Sequence, residues 1–211
     1  MAPSDGTYFL SSTVLSEGDS KDLELHFFKN NNDYNIGCYE AGNDHTSCTM
    51  FAPMMLKKND RVDIRCAHTS GGSVWASEAS NRDRGLTNFR GFKIAEYKDK
   101  NAVAFQAVLP AEGRFEPGMR IMYTQEVLDI GGAYDAVRAR FIAPISGVYS
   151  FGVNQLSYGG TREVELAFFK NGFDYKVRSS VLSQDSTNSF TATSCPCRSG
   201  VTMARTRTRV A

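Results

Sequence analysis

An all-β fold is predicted, an antiparallel jelly-roll sandwich of two sheets, on three observations. Apolar and polar residues alternate at period two over short stretches. Clusters of Gly, Asn, Asp and Pro interrupt them every eight to twelve residues. No stretch of eleven or more residues carries a clean helical period with caps.

The elements follow in order. Leu23, Leu25 and Phe27 alternate with Glu24, His26 and Phe28, as in a half-buried strand. Lys29-Asn30-Asn31-Asn32-Asp33 is turn chemistry, because Asn and Asp tolerate left-handed backbone angles. Residues 50–56 are a short apolar run, and Lys57-Lys58-Asn59-Asp60 turns the chain. Arg61-Val62-Asp63-Ile64-Arg65-Cys66 alternates again, and Thr69-Ser70-Gly71-Gly72 is a loop before Val74-Trp75. Phe89-Arg90-Gly91-Phe92-Lys93-Ile94 is a further strand. A second series opens at residues 103–108 and continues at 120–123 and 126–128. After a turn at 130–135 come strands at 140–142, 147–151 and 164–168.

The chain also repeats itself. Residues 142–175 match residues 1–34 at a constant offset of 141, without gaps. Of the 33 pairs from Ala2/Ala143 to Tyr34/Tyr175, 15 are identical. Glu24-Leu25-x-Phe27-Phe28-Lys29-Asn30 returns as Glu165-Leu166-x-Phe168-Phe169-Lys170-Asn171. A period of this length is that of a domain, not of a solenoid unit. The copied segment opens the chain once and lies mid-unit the second time. The expected organisation is therefore part of one unit over 1–95, a charged linker over 96–102, and part of a second unit over 103–194. A basic, irregular tail is expected over 195–211, where alternation stops. The change at about Ser194 suggests a shifted reading frame or a misassigned exon.

Composition excludes several function classes. The chain has 211 residues, 41% hydrophobic and 22% charged, as in ordinary globular proteins. A net charge of +1 supplies no field to steer it onto nucleic acid or an anionic membrane. No apolar run approaches the ~20 residues of a membrane helix. The first residues lack the basic and apolar regions of a secretory signal.

Candidate chemistry is sparse. The histidines are His26, His45 and His68, and none stands in a nucleophile elbow or an ordered triad. Asp60 and Asp63 read as turn and exposed-strand residues, since a hard cation needs six or more oxygens. Arg82, Arg84 and Arg90 form a loose cluster that reads as a solvated rim, with an anionic-ligand patch as the alternative. The five cysteines are Cys38, Cys48, Cys66, Cys195 and Cys197, so at least one is unpaired. Cys38 and Cys48 are either small buried residues or a disulfide closing a hairpin-sized loop. Cys195-Pro-Cys197 has no neighbouring Cys or His with which to make a zinc site. The sequence assigns no catalytic, cofactor-binding, metal or ligand-binding residue.

Read in opposite order, the two halves resemble one family. Val103-Ala104-Phe105-x-Ala107, Ile130-Gly131-Gly132-Ala133-Tyr134-Asp135, Phe141-x-Ala143-Pro144-x-x-Gly147-Val148-Tyr149-x-Phe151 and Val164-x-Leu166-x-x-x-Lys170-Asn171-Gly172 are similar to the first half of a complement C1q globular domain. Gly6-x-Tyr8-Phe9, Leu23-x-Leu25-x-x-x-Lys29-Asn30, Leu56-Lys57-Lys58-Asn59-Asp60-x-Val62 and Phe89-x-Gly91-Phe92-Lys93-Ile94 resemble the latter part. Asn59 departs from the pattern, which usually has Gly before the Asp. The resemblance implies a ten-stranded jelly roll, compact homotrimers, secretion and non-catalytic binding of extracellular protein, carbohydrate or microbial-surface ligands. Some relatives bind calcium, but no ligand motif for it is matched here. A receptor-binding signalling ligand of cerebellin type is the alternative, and a truncated gene product without function the third. The family's end strands are sheet neighbours, so either residues 89–94 pair with 103–108 in a circularly permuted single roll, or the chain is a fragment of a tandem array with neither unit complete; the first is the hypothesis that the inverted order of the halves motivates. In such a roll the twin stretches would compete for the same slots.

Overall fold

A computed structural model describes residues 1–16, 22–40, 47–66, 74, 87–111, 115–157, 164–181 and 187–209. The described residues form fifteen strands and no helix. They are β1 (Gly6–Leu15), β2 (Leu23–Lys29), β3 (Asn32–Glu40), β4 (Ser47–Leu56), β5 (Val62–Cys66), β6 (Asn88–Glu96), β7 (Ala104–Val108) and β8 (Gln125–Ile130). Then come β9 (Tyr134–Asp135), β10 (Arg140–Ile142), β11 (Gly147–Ser157), β12 (Val164–Lys170), β13 (Phe173–Val181), β14 (Thr187–Cys197) and β15 (Thr202–Arg209). The all-β class predicted from alternation is the one observed, in several antiparallel sheets, consistent with a β-sandwich.

The chain divides into two compact units. The first takes Met1–Lys98, Asn154–Gly160 and Ser183–Ser189, and the second takes Asp99–Val153, Thr161–Leu182 and Phe190–Ala211. In the first, the sheets run β4-β1-β6 and β3-β2-β5. Alternation along β1 buries Tyr8, Leu10, Ser12 and Val14, and along β2 it buries Leu23, Leu25 and Phe27. Phe27 is fully buried, and its ring lies 6.1 Å from that of Phe89 on the other sheet. Each such burial stabilises by roughly 1.5–3 kcal/mol. A disulfide between Cys38 on β3 and Cys48 on β4 ties the two sheets together. The second unit holds the sheets β13-β12-β15-β10-β9 and β7-β8, and the sheet β11-β14 over β11 up to Val153 and β14 from Phe190. Phe141, Phe151 and Phe168 centre its core with Met203, Cys195 and Cys197. Phe105 stacks on Tyr134 at 4.7 Å and on Phe141 at 5.5 Å.

The repeat is longer in space than in sequence. At the same offset of 141, β2 and β3 become β12 and β13, with bounds unchanged. Their registers also match: Leu23↔Glu40 becomes Val164↔Val181, and Lys29↔Asn32 becomes Lys170↔Phe173. β4 becomes β14 and β5 becomes β15. The pairing Leu25↔Cys66 returns as Leu166↔Arg207, and Lys29↔Val62 as Lys170↔Met203. Each copy is paired within sheets of its own, so the two do not compete for one slot.

Three expectations are corrected. Residues 202–209, read as an irregular tail, are the strand β15, held between β12 and β10. Thr202, Ala204, Thr206 and Thr208 alternate with Met203, Arg205, Arg207 and Arg209, a polar and charged pattern with little apolar contrast, so hydropathy alone shows no strand. Residues 89–94 pair with β1, and residues 104–108 pair with β8, so the circularly permuted single roll is not formed. Of residues 120–123, only Arg120 makes a β-bridge. The loop at 69–72 and Trp75 lie outside the described residues; Val74 forms an isolated bridge with Ser16.

Asn59 resolves the departure at its turn. Its φ is 72°, in the left-handed region that Asn tolerates, and its counterpart Gly200 has φ 82°. The two turns share their hydrogen bonds. Asn59 N–H donates to Ala2 O at 2.8 Å, as Gly200 N–H does to Ala143 O at 2.8 Å.

Candidate interaction surfaces

The residues shared by the two copies are mostly architecture. Lys29 Nζ donates to Met55 O at 2.8 Å, and Lys170 Nζ to Pro196 O at 2.7 Å. Tyr8 donates to Ser4 O at 2.9 Å, and Tyr149 to Ile145 O at 2.7 Å. Identity between the copies therefore records which atoms hold the turns and strand ends. Surface chemistry is found where the copies differ.

The first difference is aromatic. On the outer face of β4-β1-β6, the Phe9 ring lies 6.0 Å from Phe51 and 5.5 Å from Phe92. Phe92 is 61% exposed, and Phe9 and Phe51 are half-buried. The period of two puts Phe9 outside while its neighbours Tyr8 and Leu10 are buried. Beside this stripe, Met55 and Ile94 are also exposed. At the positions of Phe9, Phe51 and Pro53, the second copy has Ser150, Ala192 and Ser194. There the Ser150 and Ser194 hydroxyls bond each other at 3.1 Å. One copy thus shows an aromatic stripe where the other shows a small polar one.

The second difference is a charged network on β2-β3-β5. His26 is bracketed by carboxylates, with Nε2 2.9 Å from Glu24 and Nδ1 2.8 Å from Asp33. Arg65 donates to Asp63 at 2.7 Å and to Asn31 at 2.6 Å, and its guanidinium sits 4.9 Å over the Phe28 ring. The second copy has Ala167, Ala204, Gly172 and Thr206 at the positions of His26, Asp63, Asn31 and Arg65. The network therefore belongs to the first unit alone.

Other candidates from the sequence take structural places. Asp60 accepts from Asn30 Nδ2 at 2.8 Å and from the Lys57 N–H at 2.9 Å, with Lys29 Nζ 3.4 Å away. The Asn30 bond, the Lys57 N–H and the Lys29 charge hold its carboxyl below the ordinary value against a smaller effect of burial. Arg90 is exposed on β6, whereas Arg82, Arg84, His45 and His68 lie outside the described residues. Cys195 and Cys197 place their sulfurs 3.4 Å apart in the core of the second unit. Burial, then the hydrogen bond with Cys195, pushes the Cys197 thiol up to about 11. Among the described residues, no three His, Cys, Asp or Glu side chains converge as metal ligands.

The Phe9 stripe and the His26 network were not picked out from sequence. The signal for both was present: a strand position that is aromatic or charged in one copy and small in the other. No family model matches the chain, and no curated protein matches it.

Proposed function

We propose that the chain is a non-catalytic recognition module of the C1q globular-domain type. It works as a multivalent, trimeric, extracellular protein and binds protein, carbohydrate or microbial-surface ligands. The observation that carries this reading is the Phe51–Phe9–Phe92 stripe. A contiguous apolar strip on a sheet face is the usual mark of a protein–protein contact. Its polar counterpart in the second copy shows that the sandwich scaffold does not itself need aromatics there. The Cys38–Cys48 disulfide supports an oxidising compartment. The antiparallel sheets support the jelly-roll assignment. Trimers present three weak sites together and gain avidity.

Sedimentation velocity tests the assembly. The chain is expected to run as a trimer, and the double variant Phe9→Ser, Phe92→Glu as a monomer with its cooperative melt retained. A monomeric parent chain at about 50 μM, a concentration at which an interface worth roughly 8 kcal/mol is occupied, overturns the trimer. Binding of the trimer to arrayed glycans favours a lectin. Binding to a single protein receptor favours the signalling ligand.

A further inference from the structure

The imidazole of His26 has a seat that the second copy lacks. His26 stands opposite Gly37 in the β2–β3 register, where the second copy has Ala167 opposite Arg178. A Cβ at Gly37 would collide with His26 Cδ2 and with Leu25 O. The glycine makes room for the ring, and the first unit has both where the second has neither. Carboxylates wall the seat. Glu24 Oε1 lies 2.9 Å from Nε2, and Asp33 Oδ2 lies 2.8 Å from Nδ1. An ionised carboxylate only accepts, so both contacts are hydrogen bonds only when both ring nitrogens carry protons. Neutral imidazole has one N–H and can keep one of them. The geometry is that of an imidazolium.

We propose that His26 is a proton-operated clamp on the face of β2-β3-β5 opposite Leu25 and Phe27, tying Asp33 to β2 when protonated and releasing it when neutral. Neutral imidazole ordinarily keeps its proton on Nε2. That preserves the bond to Glu24 and turns the Nδ1 lone pair towards Asp33 Oδ2. Two acceptors then face each other at hydrogen-bond distance, and they part. The other oxygen, Asp33 Oδ1, accepts the Asn35 N–H at 2.7 Å. Asn35 has φ 55° and lies where the β2–β3 register shifts. The protonation of the ring is thereby passed to the bulge of β3. The other charges on this face do not duplicate the ring. Arg65 is the partner of His26 on β5, and its guanidinium pairs with Asp63 at 2.6 Å. Tyr39 on β3 stands opposite Glu24. The second unit has the same bulge without the histidine: Lys176 has φ 59°, and its N–H donates to Asp174 Oδ1 at 2.7 Å.

Two-dimensional NMR of the full chain from about pH 5 to 8, where histidine ordinarily changes charge, tests the clamp. The His26 resonances are assigned by their loss in His26→Ala, which installs the residue of the second copy. The Asn35 amide is expected to shift with the same midpoint as the His26 ring, while the Lys176 amide stays flat. At pH ~8 the ring should show Nε2 protonated and Nδ1 bare. In His26→Ala the Asn35 amide should lose its titration, with the second-unit resonances unmoved as the report on folding. A flat Asn35 amide in the parent chain overturns the proposal. So does a proton on Nδ1 at pH ~8, which would keep Asp33 bound. A titration of Asn35 that survives in His26→Ala also overturns it, since another group would then drive the bulge.

Discussion

Asn171 Oδ1 accepts the Thr202 N–H at 2.9 Å, and Asn30 Oδ1 accepts the Arg61 N–H at the same distance. Both asparagines have φ 50°, and the backbone N–H of each donates 2.9 Å to the residue its side chain faces. One side chain thus ends one strand and starts its neighbour. In the second copy, this clamp begins β15.

The clamp predicts that Asn171→Ala destabilises the chain by about 1–3 kcal/mol, the usual cost of a lost turn bond plus left-handed strain. Asn171→Gly should recover the part due to φ alone. Equilibrium urea denaturation measures both. Hydrogen exchange should show the loss first at residues 202–204. An unchanged midpoint for Asn171→Ala would mean that the tail is held by its ladder and not by this turn.

Legibility differed by element for physical reasons. Leu23, Leu25 and Phe27 were readable because one face of β2 is buried and the other is not. β3 and β13 read as turn chemistry, because Asn31-Asn32-Asp33 opens the one and Gly172-Phe173-Asp174 the other. β15 is illegible because Thr202, Ala204, Thr206 and Thr208 face arginines in sequence with little apolar contrast, while its pairing is backbone and leaves no hydropathy trace. What betrays β15 is the repeat: Gly200 falls on the left-handed Asn59, and Asn171 falls on Asn30. Following the offset of 141 beyond residue 175 would have found it, although identity fades there. The surfaces were illegible for the opposite reason. They lie where the copies disagree, and a repeat draws attention to where they agree.

Gln155 stands where the first copy has Val14. It is 8% exposed, and neither Oε1 nor Nε2 has a hydrogen-bond partner among the described residues. A buried, unpaired amide costs about 1–3 kcal/mol. Gln155→Val restores the residue of the first copy and should raise stability by about 1–2 kcal/mol. A lower melting temperature for this variant would show that the amide is satisfied in solution.

The Cys38–Cys48 bond joins two sheets of the first unit, and the second copy has Ser179 and Ser189 at these positions. Both cysteines are replaced together, as a pair that matters only as a pair would be. Cys38→Ser with Cys48→Ser should cost about 2–4 kcal/mol. Reductant should lower the melting temperature of the parent chain and leave that of the double variant unchanged.

Thiol reactivity should separate Cys66 from Cys195 and Cys197, the cysteines outside the Cys38–Cys48 disulfide. Cys66 is exposed, whereas Cys195 and Cys197 are buried, and burial with the Cys195 hydrogen bond raises the Cys197 thiol. Thiolate is the reacting form, so native chain at neutral pH should take up one equivalent of iodoacetamide at Cys66. The other two should react only after unfolding. Peptide mapping that found Cys197 labelled early would show the core of the second unit opening without global unfolding.

Asp60 sets an acid limit. Its folded carboxyl lies below the ordinary 3.8, chiefly through the Asn30 bond and then the Lys57 N–H. A carboxyl lowered on folding binds its proton less readily in the native state than in the unfolded one. Its contribution is therefore complete above that ordinary value and is lost as pH falls through the lowered one. Stability of the parent chain should drop more steeply below pH ~4 than that of Asp60→Asn, measured by urea midpoints at each pH. Asp60→Asn should be the less stable of the two at pH ~7, because Lys29 loses its carboxylate, and the gap should close on acidification. Parallel acid profiles for the two chains would remove Asp60 from this role and leave the turn to the Asn59 backbone alone.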